Sequence, residues 1–120
     1  MARAGAMRSN PRKLNALQLK TLAILQALAA ERAFAEPPDG DGATLIHSMP
    51  PAHGNHFHIG AAAVLARDAT GLGNRSVMNA LMRKGLLLAS PAGQPVLTPE
   101  GLAYDTGIAG QILHRADHGP

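Results

Sequence analysis

Cysteine and tryptophan are absent from the chain, and its aromatic residues are Phe34, Phe57 and Tyr104. Without cysteine there is no disulfide framework, no thiolate zinc centre and no cysteine nucleophile, and the expected compartment is the cytoplasm. So few aromatic rings exclude the stacking platforms that bind single-stranded nucleic acid. They also leave the core to Leu, Ile, Val, Met and Ala, which suits packed helices better than a β-sandwich. No apolar run reaches the ~18 residues of a membrane span, so no membrane partner is expected. Catalytic signatures are missing too: there is no nucleophile motif, no dinucleotide G-x-G-x-x-G, and no P-loop lysine after the glycine-rich stretch Gly71–Ser76. The chain is not expected to be an enzyme.

Charge of one sign is missing by region. Residues 1–20 hold Arg3, Arg8, Arg12, Lys13 and Lys20 and no carboxylate. Residues 33–66 hold Glu36, Asp39 and Asp41 and neither Lys nor Arg. The stretch from Arg67 to Lys84 is basic again, through Arg75 and Arg83. Two basic regions around an acidic one point to a binding face for an anionic partner and a separate site between them.

What is present is a moderately apolar chain of 120 residues, 46% hydrophobic and 16% charged, with a formal net charge of +3, long enough for one folded domain. Residues 1–9 read as a disordered basic arm, and residues 10–120 as a single domain. Asn10-Pro11 predicts a helix start, and Leu14, Leu17, Ile24, Leu25 and Leu28 recur at helical spacing, giving an N-terminal helix within 10–35. Basic residues, the apolar run Thr21–Ala30 and Ala33-Phe34-Ala35 mimic a cleaved leader, but Gln26 interrupts the run and Glu31-Arg32 precede the cleavage point, so a folded helix is the expectation. Residues 36–58 read as loop with short strands: Pro37-Pro38-Asp39-Gly40 breaks the helix, 43–48 is an extended candidate, and His56-Phe57-His58-Ile59 alternates as a half-buried strand does. An Ala-rich helix is expected over 60–68, a second over about 74–84, and a β-hairpin over 86–97. Thr98-Pro99-Glu100 starts a further helix, with Thr as N-cap and Pro in the first turn, and 105–120 reads as C-terminal helix and tail.

Leu81-Met82-Arg83-Lys84-Gly85-Leu86-Leu87, a short loop, and then Leu97-Thr98-Pro99-Glu100-Gly101 resemble the recognition-helix end, the wing and the entry to the last helix of winged helix-turn-helix regulators, notably of the MarR and PadR types. The resemblance covers residues 59–104. It implies a mainly α fold with a small β-hairpin wing, flanked by an N-terminal and a C-terminal helix, and a homodimer on double-stranded DNA. Helical geometry supports a reading face. With Val77, Ala80 and Leu81 on the buried side, Arg75, Ser76, Asn79 and Arg83 fall together on the opposite one, and these residue types read base edges and phosphates. Met78 and Met82 flank them. Lys84, Arg12 and Lys13 are expected to hold phosphates. The function expected is therefore a DNA-binding transcriptional regulator. The hairpin's lack of any Lys or Arg supports an alternative, a module that binds protein and not DNA.

Four of the six histidines, His47, His53, His56 and His58, lie within twelve residues. On a strand His56 and His58 point to one side, and a strand over 43–48 folding back would bring His47 to them, with His53 on the turn. Imidazoles so grouped suit Zn or another transition metal, with Asp39 or Asp41 as oxygen donors, which gives the second alternative, a metal-responsive regulator. No other cofactor is expected.

Overall fold

The computed structural model describes residues 10–115, so the expected basic arm at 1–9 and residues 116–120 lie outside the described residues. In chain order the elements are α1 (Ala16–Ala29), β1 (Thr44–Leu45), β2 (Ala52–His53), β3 (His56–Ile59), β4 (Ala62–Leu65), two 3-10 turns (Ala66–Asp68 and Thr70–Gly73), α2 (Arg75–Arg83), β5 (Leu87–Ala89), β6 (Pro95–Leu97), α3 (Pro99–Ala103), α4 (Ala109–Ile112) and β7 (His114–Arg115).

The first helix starts later than Asn10-Pro11 suggests. Asn15 and Gln18 form a capping box: Gln18 N donates to Asn15 Oδ1 at 2.8 Å, and Asn15 N donates to Gln18 Oε1 at 3.0 Å. Asn10 instead closes a turn, accepting from Lys13 N at 2.9 Å through its carbonyl and from Leu14 N at 3.1 Å through its side chain. The helix stops at Ala29 and not at residue 35. Thr21 to Leu25 are all buried, so α1 is enclosed on every side rather than amphipathic, and Leu22, Ile24, Leu25 and Leu28 form its share of the core. It packs against α2, α3, α4, β6 and both 3-10 turns. Gln26, the polar break in the apolar run, donates to the carbonyls of Gly101 and Tyr104, both at 2.8 Å, and so anchors the end of α3.

The mainly α winged helix-turn-helix expected from the sequence is not what forms. The structure is an α+β globule with seven strands in two antiparallel sheets among the described residues. The decisive difference lies at 60–68, where the expected helix is replaced by β4 and a 3-10 turn. Gly60, at φ +58, reverses the chain directly after the alternating strand β3, and Ile59 pairs with Ala62, Phe57 with Val64. Alanine's helix propensity is worth only tenths of a kcal/mol per residue over most others, and a full ladder of strand bonds overrides it. The four-stranded sheet runs β2-β3-β4-β7, so the described part of the C-terminal region expected as helix and tail, residues 105–115, supplies the single turn α4 and then an edge strand.

The hairpin expected over 86–97 is formed by β5 and β6, and β1 adds to it to give the order β1-β6-β5. Thr44 pairs with Leu97 and Leu45 with Val96. Thr98 caps α3 by accepting from Gly101 N at 3.0 Å, with Pro99 in the first turn as expected. One apolar cluster from Leu14 to Ile112 joins helices and both sheets. Among the described residues no helix is long and apolar enough to cross a membrane.

Candidate functional site

The helix at about 74–84 is present as α2. Asn74 starts it: its side-chain oxygen accepts from Ser76 N at 2.9 Å and from Val77 N at 3.2 Å. Val77, Ala80 and Leu81 are buried, and Arg75, Ser76, Asn79 and Arg83 are exposed. No hydrogen bond or ion pair among the described residues engages the side chain of Arg75 or Arg83. No carboxylate occurs from residue 69 to residue 99, so α2 carries basic side chains and no acidic one of its own.

The face is divided rather than uniform. Arg75, Asn79, Met78 and Met82 line a groove of about 520 Å³ together with Leu88 and Ala89 of β5, Met49 and Leu72. Ser76 and Arg83 lie outside it. Leu88 is 52% and Met49 45% exposed, and they are the only large hydrophobic residues that are exposed among those described. Both border this one groove. The groove was not legible in the sequence. Met49 reaches it from a loop, and nothing local signals that a residue thirty positions upstream borders α2.

Of the three further cations expected at phosphates, Arg12 and Lys84 have partners within the chain. Arg12 donates from Nε to Glu100 Oε2 at 2.8 Å, and its second nitrogen bonds the same oxygen, so its charge is matched by α3. Lys84 donates to the carbonyl of Arg12 at 2.8 Å. Together they tie the segment before α1 to the C-terminal end of α2. Lys13 is exposed at φ 54, beside this cluster in the chain. Tyr104 completes the tie, because its buried hydroxyl donates to Asn10 Oδ1 and accepts from Arg12 N at 3.0 Å. Its role has no local sequence signal.

The histidines separate into two groups. β1 joins β6 and not β3, so His47 is carried away from the others. Its Nδ1 meets Ser48 Oγ at 2.7 Å, and its Nε2 lies 3.7 Å from Glu36. His53, His56 and His58 come together on one face of the second sheet. His53 and His56 are paired across the two-residue turn Gly54-Asn55, and His58 is two residues along the same strand. The ring centres of His56 and His58 are 4.8 Å apart, those of His53 and His58 5.4 Å, and those of His53 and His56 6.2 Å. His56 Nε2 and His58 Nε2 are 3.1 Å apart. Asp39 turns inward on its own loop, accepting from Asp41 N at 2.8 Å and Ala43 N at 3.0 Å, so it is occupied by backbone. Among the described residues no group of three or more His, Asp or Glu side chains is placed so that it could hold a metal ion.

No known protein family, curated protein or solved structure matches the chain. Any functional reading therefore stands on its own residues.

Proposed function

We propose that the chain binds duplex DNA through the outer face of α2, as a transcriptional regulator. The observation that carries this reading is the pair of unpaired arginines, Arg75 and Arg83, on a helix face with Ser76 and Asn79 and with no carboxylate from 69 to 99. Eight residues of α-helix separate the arginines, about 12 Å along the axis. Guanidinium groups so placed suit phosphates or the O6/N7 edge of guanine, Asn79 suits adenine, and Met78 offers an apolar contact for a thymine methyl. The Arg12 charge is matched by Glu100, whereas Lys84 gives one of its three donors to the Arg12 carbonyl and Lys13 is exposed, so both lysines can add phosphate contacts beside α2.

The groove beside α2 favours a second reading, the docking of a partner protein. Its occupant would be an apolar segment carrying a carboxylate, the apolar part seated between Met78, Met82 and Leu88 and the carboxylate on Arg75.

Fluorescence anisotropy with a labelled mixed-sequence duplex, at salt from about 50 to 200 mM, separates the two. DNA binding is expected to weaken with salt and to be lost in Arg75→Ala/Arg83→Ala. An absence of low-salt affinity, or an unchanged affinity in that variant, overturns the DNA reading. In the latter case, loss of a partner peptide in Leu88→Asp would support docking.

A further inference from the structure

We propose that the groove lined by α2 and β5 binds a medium-chain aliphatic carboxylate, with its head on Arg75 and its chain along Met78 and Met82. The ligand takes the place considered above for a protein segment, and its binding does not rest on the DNA reading.

The helix sets the polarity of the site. Arg75, Met78, Asn79 and Met82 recur at intervals of three and four residues, so they form one stripe along α2, and all four line the groove. The stripe begins with a guanidinium and ends with a thioether. Seven residues separate the two, about 10 Å along the axis, which an extended aliphatic chain of about eight carbons spans. The charged end coincides with the start of the helix, where the peptide dipoles favour an anion. No hydrogen bond or ion pair among the described residues engages the Arg75 side chain, and no Asp, Glu or Lys is among the described residues that line the groove.

Size and composition fit the same class of ligand. A volume of about 520 Å³ lies in the range of small-molecule sites. Arg75 is the one cation among the described lining residues, and a single guanidinium matches a carboxylate, which it can hold through two parallel N–H donors, better than a doubly charged phosphate. Every methionine of the described residues, Met49, Met78 and Met82, lines the groove, and unbranched thioethers adapt their shape to a flexible chain. Leu72, Met78 and Met82 are partly buried against the core, so much of the apolar surface lies inside the groove, where a slender chain reaches it. Met49 and Leu88, both exposed, lose contact with water when the chain is seated.

The test is calorimetric titration of the chain with octanoate, butanoate and 1-octanol at fixed salt. One octanoate per chain is expected, with butanoate at least about tenfold weaker because four methylenes are lost. Arg75→Ala is expected to weaken octanoate by at least about tenfold and to leave 1-octanol unchanged, a split that a general loss of structure would not produce. Met82→Ser is expected to weaken both, and circular dichroism of each variant checks that the fold is kept. Arg83→Ala removes a cation outside the groove and is expected to leave octanoate binding intact while weakening DNA, so either reading can fail without the other. The inference is overturned if octanoate shows no saturable one-to-one binding, if butanoate binds as well, or if Arg75→Ala binds octanoate as the wild type does. Binding of an apolar, carboxylate-bearing peptide without binding of octanoate would overturn it in favour of a docked protein.

Discussion

Single atoms decide the tolerance of this fold at its glycines. A Cβ on Gly71 would overlap Thr21 Oγ1 and crowd Leu17, because the second 3-10 turn lies directly on α1. Thr21 is itself buried and donates to Leu17 O at 2.8 Å, a bond that it would lose by turning away. Gly71→Ala is expected to destabilise the chain by about 2 kcal/mol. Thr21→Ala is expected to be less damaging in that background than in the wild type, a coupling that urea unfolding of the four-member cycle measures. Additive effects would show that the two residues do not press on one another. Gly101 is constrained in a different way. A Cβ there meets the Leu86 carbonyl, which is backbone and cannot swing aside, so Gly101→Ala is expected to cost as much, with no single partner able to relieve it.

Elements are governed by their ends. The capping box on α1 is the clearest case, and Asn15→Ala is expected to lower stability by about 1 kcal/mol in the same unfolding assay, with Asn15→Asp keeping most of it. A loss below a few tenths of a kcal/mol would mean that tertiary burial alone sets the start of α1. Gly60, the pivot between β3 and β4, holds a positive φ and has the Glu31 carboxylate against it. The elements with strong ends were legible in the sequence: α2 between Asn74 and Gly85, the hairpin around 90–95, and α3 behind Thr98-Pro99 all appear where capping and turn chemistry place them. The stretch 60–68 was not legible, because Ala61, Ala62 and Ala63 carry no periodicity. Their state is fixed by pairing with a strand upstream and with β7 some fifty residues downstream. The same long-range choice misplaced His47, since the partner of β1 is β6, and no residue between 43 and 48 encodes that partner. His56 and His58 shared a face because alternation within one strand is local. Their meeting with His53 needed the short turn Gly54-Asn55 as well.

At the level of the whole molecule, function depends on how charge is spent. Of the cations in the described chain near α2, Arg12 is paired with Glu100 and Lys84 bonds the Arg12 carbonyl, whereas the side chains of Arg75 and Arg83 have no such partner among the described residues. If α2 is the DNA-contacting element, each arginine at a phosphate contributes about one unit to the slope of log affinity against log salt, so Arg75→Ala/Arg83→Ala is expected to flatten that slope by about two. Glu100→Gln provides the contrast. It frees the Arg12 side chain, and the expected result is an affinity equal to or above that of the wild type together with a small loss of stability. A weaker complex in Glu100→Gln would mean that the tie between the segment before α1 and α3 is itself needed for binding. Both sheets and α1 share one apolar cluster, so a cavity opened at Leu25 or Leu87 is expected to lower the thermal midpoint as one cooperative transition.

The tie at Tyr104 has an optical consequence. With no tryptophan and a single tyrosine, the tyrosine-band emission of the chain comes from one phenol, and that phenol is clasped by Asn10 and by the amide of Arg12. The chain thus has a built-in lamp at the clasp between its amino-terminal segment and α3. Its brightness follows whether that clasp is shut, and a nucleic acid or protein that pries the segment loose would announce itself without any label.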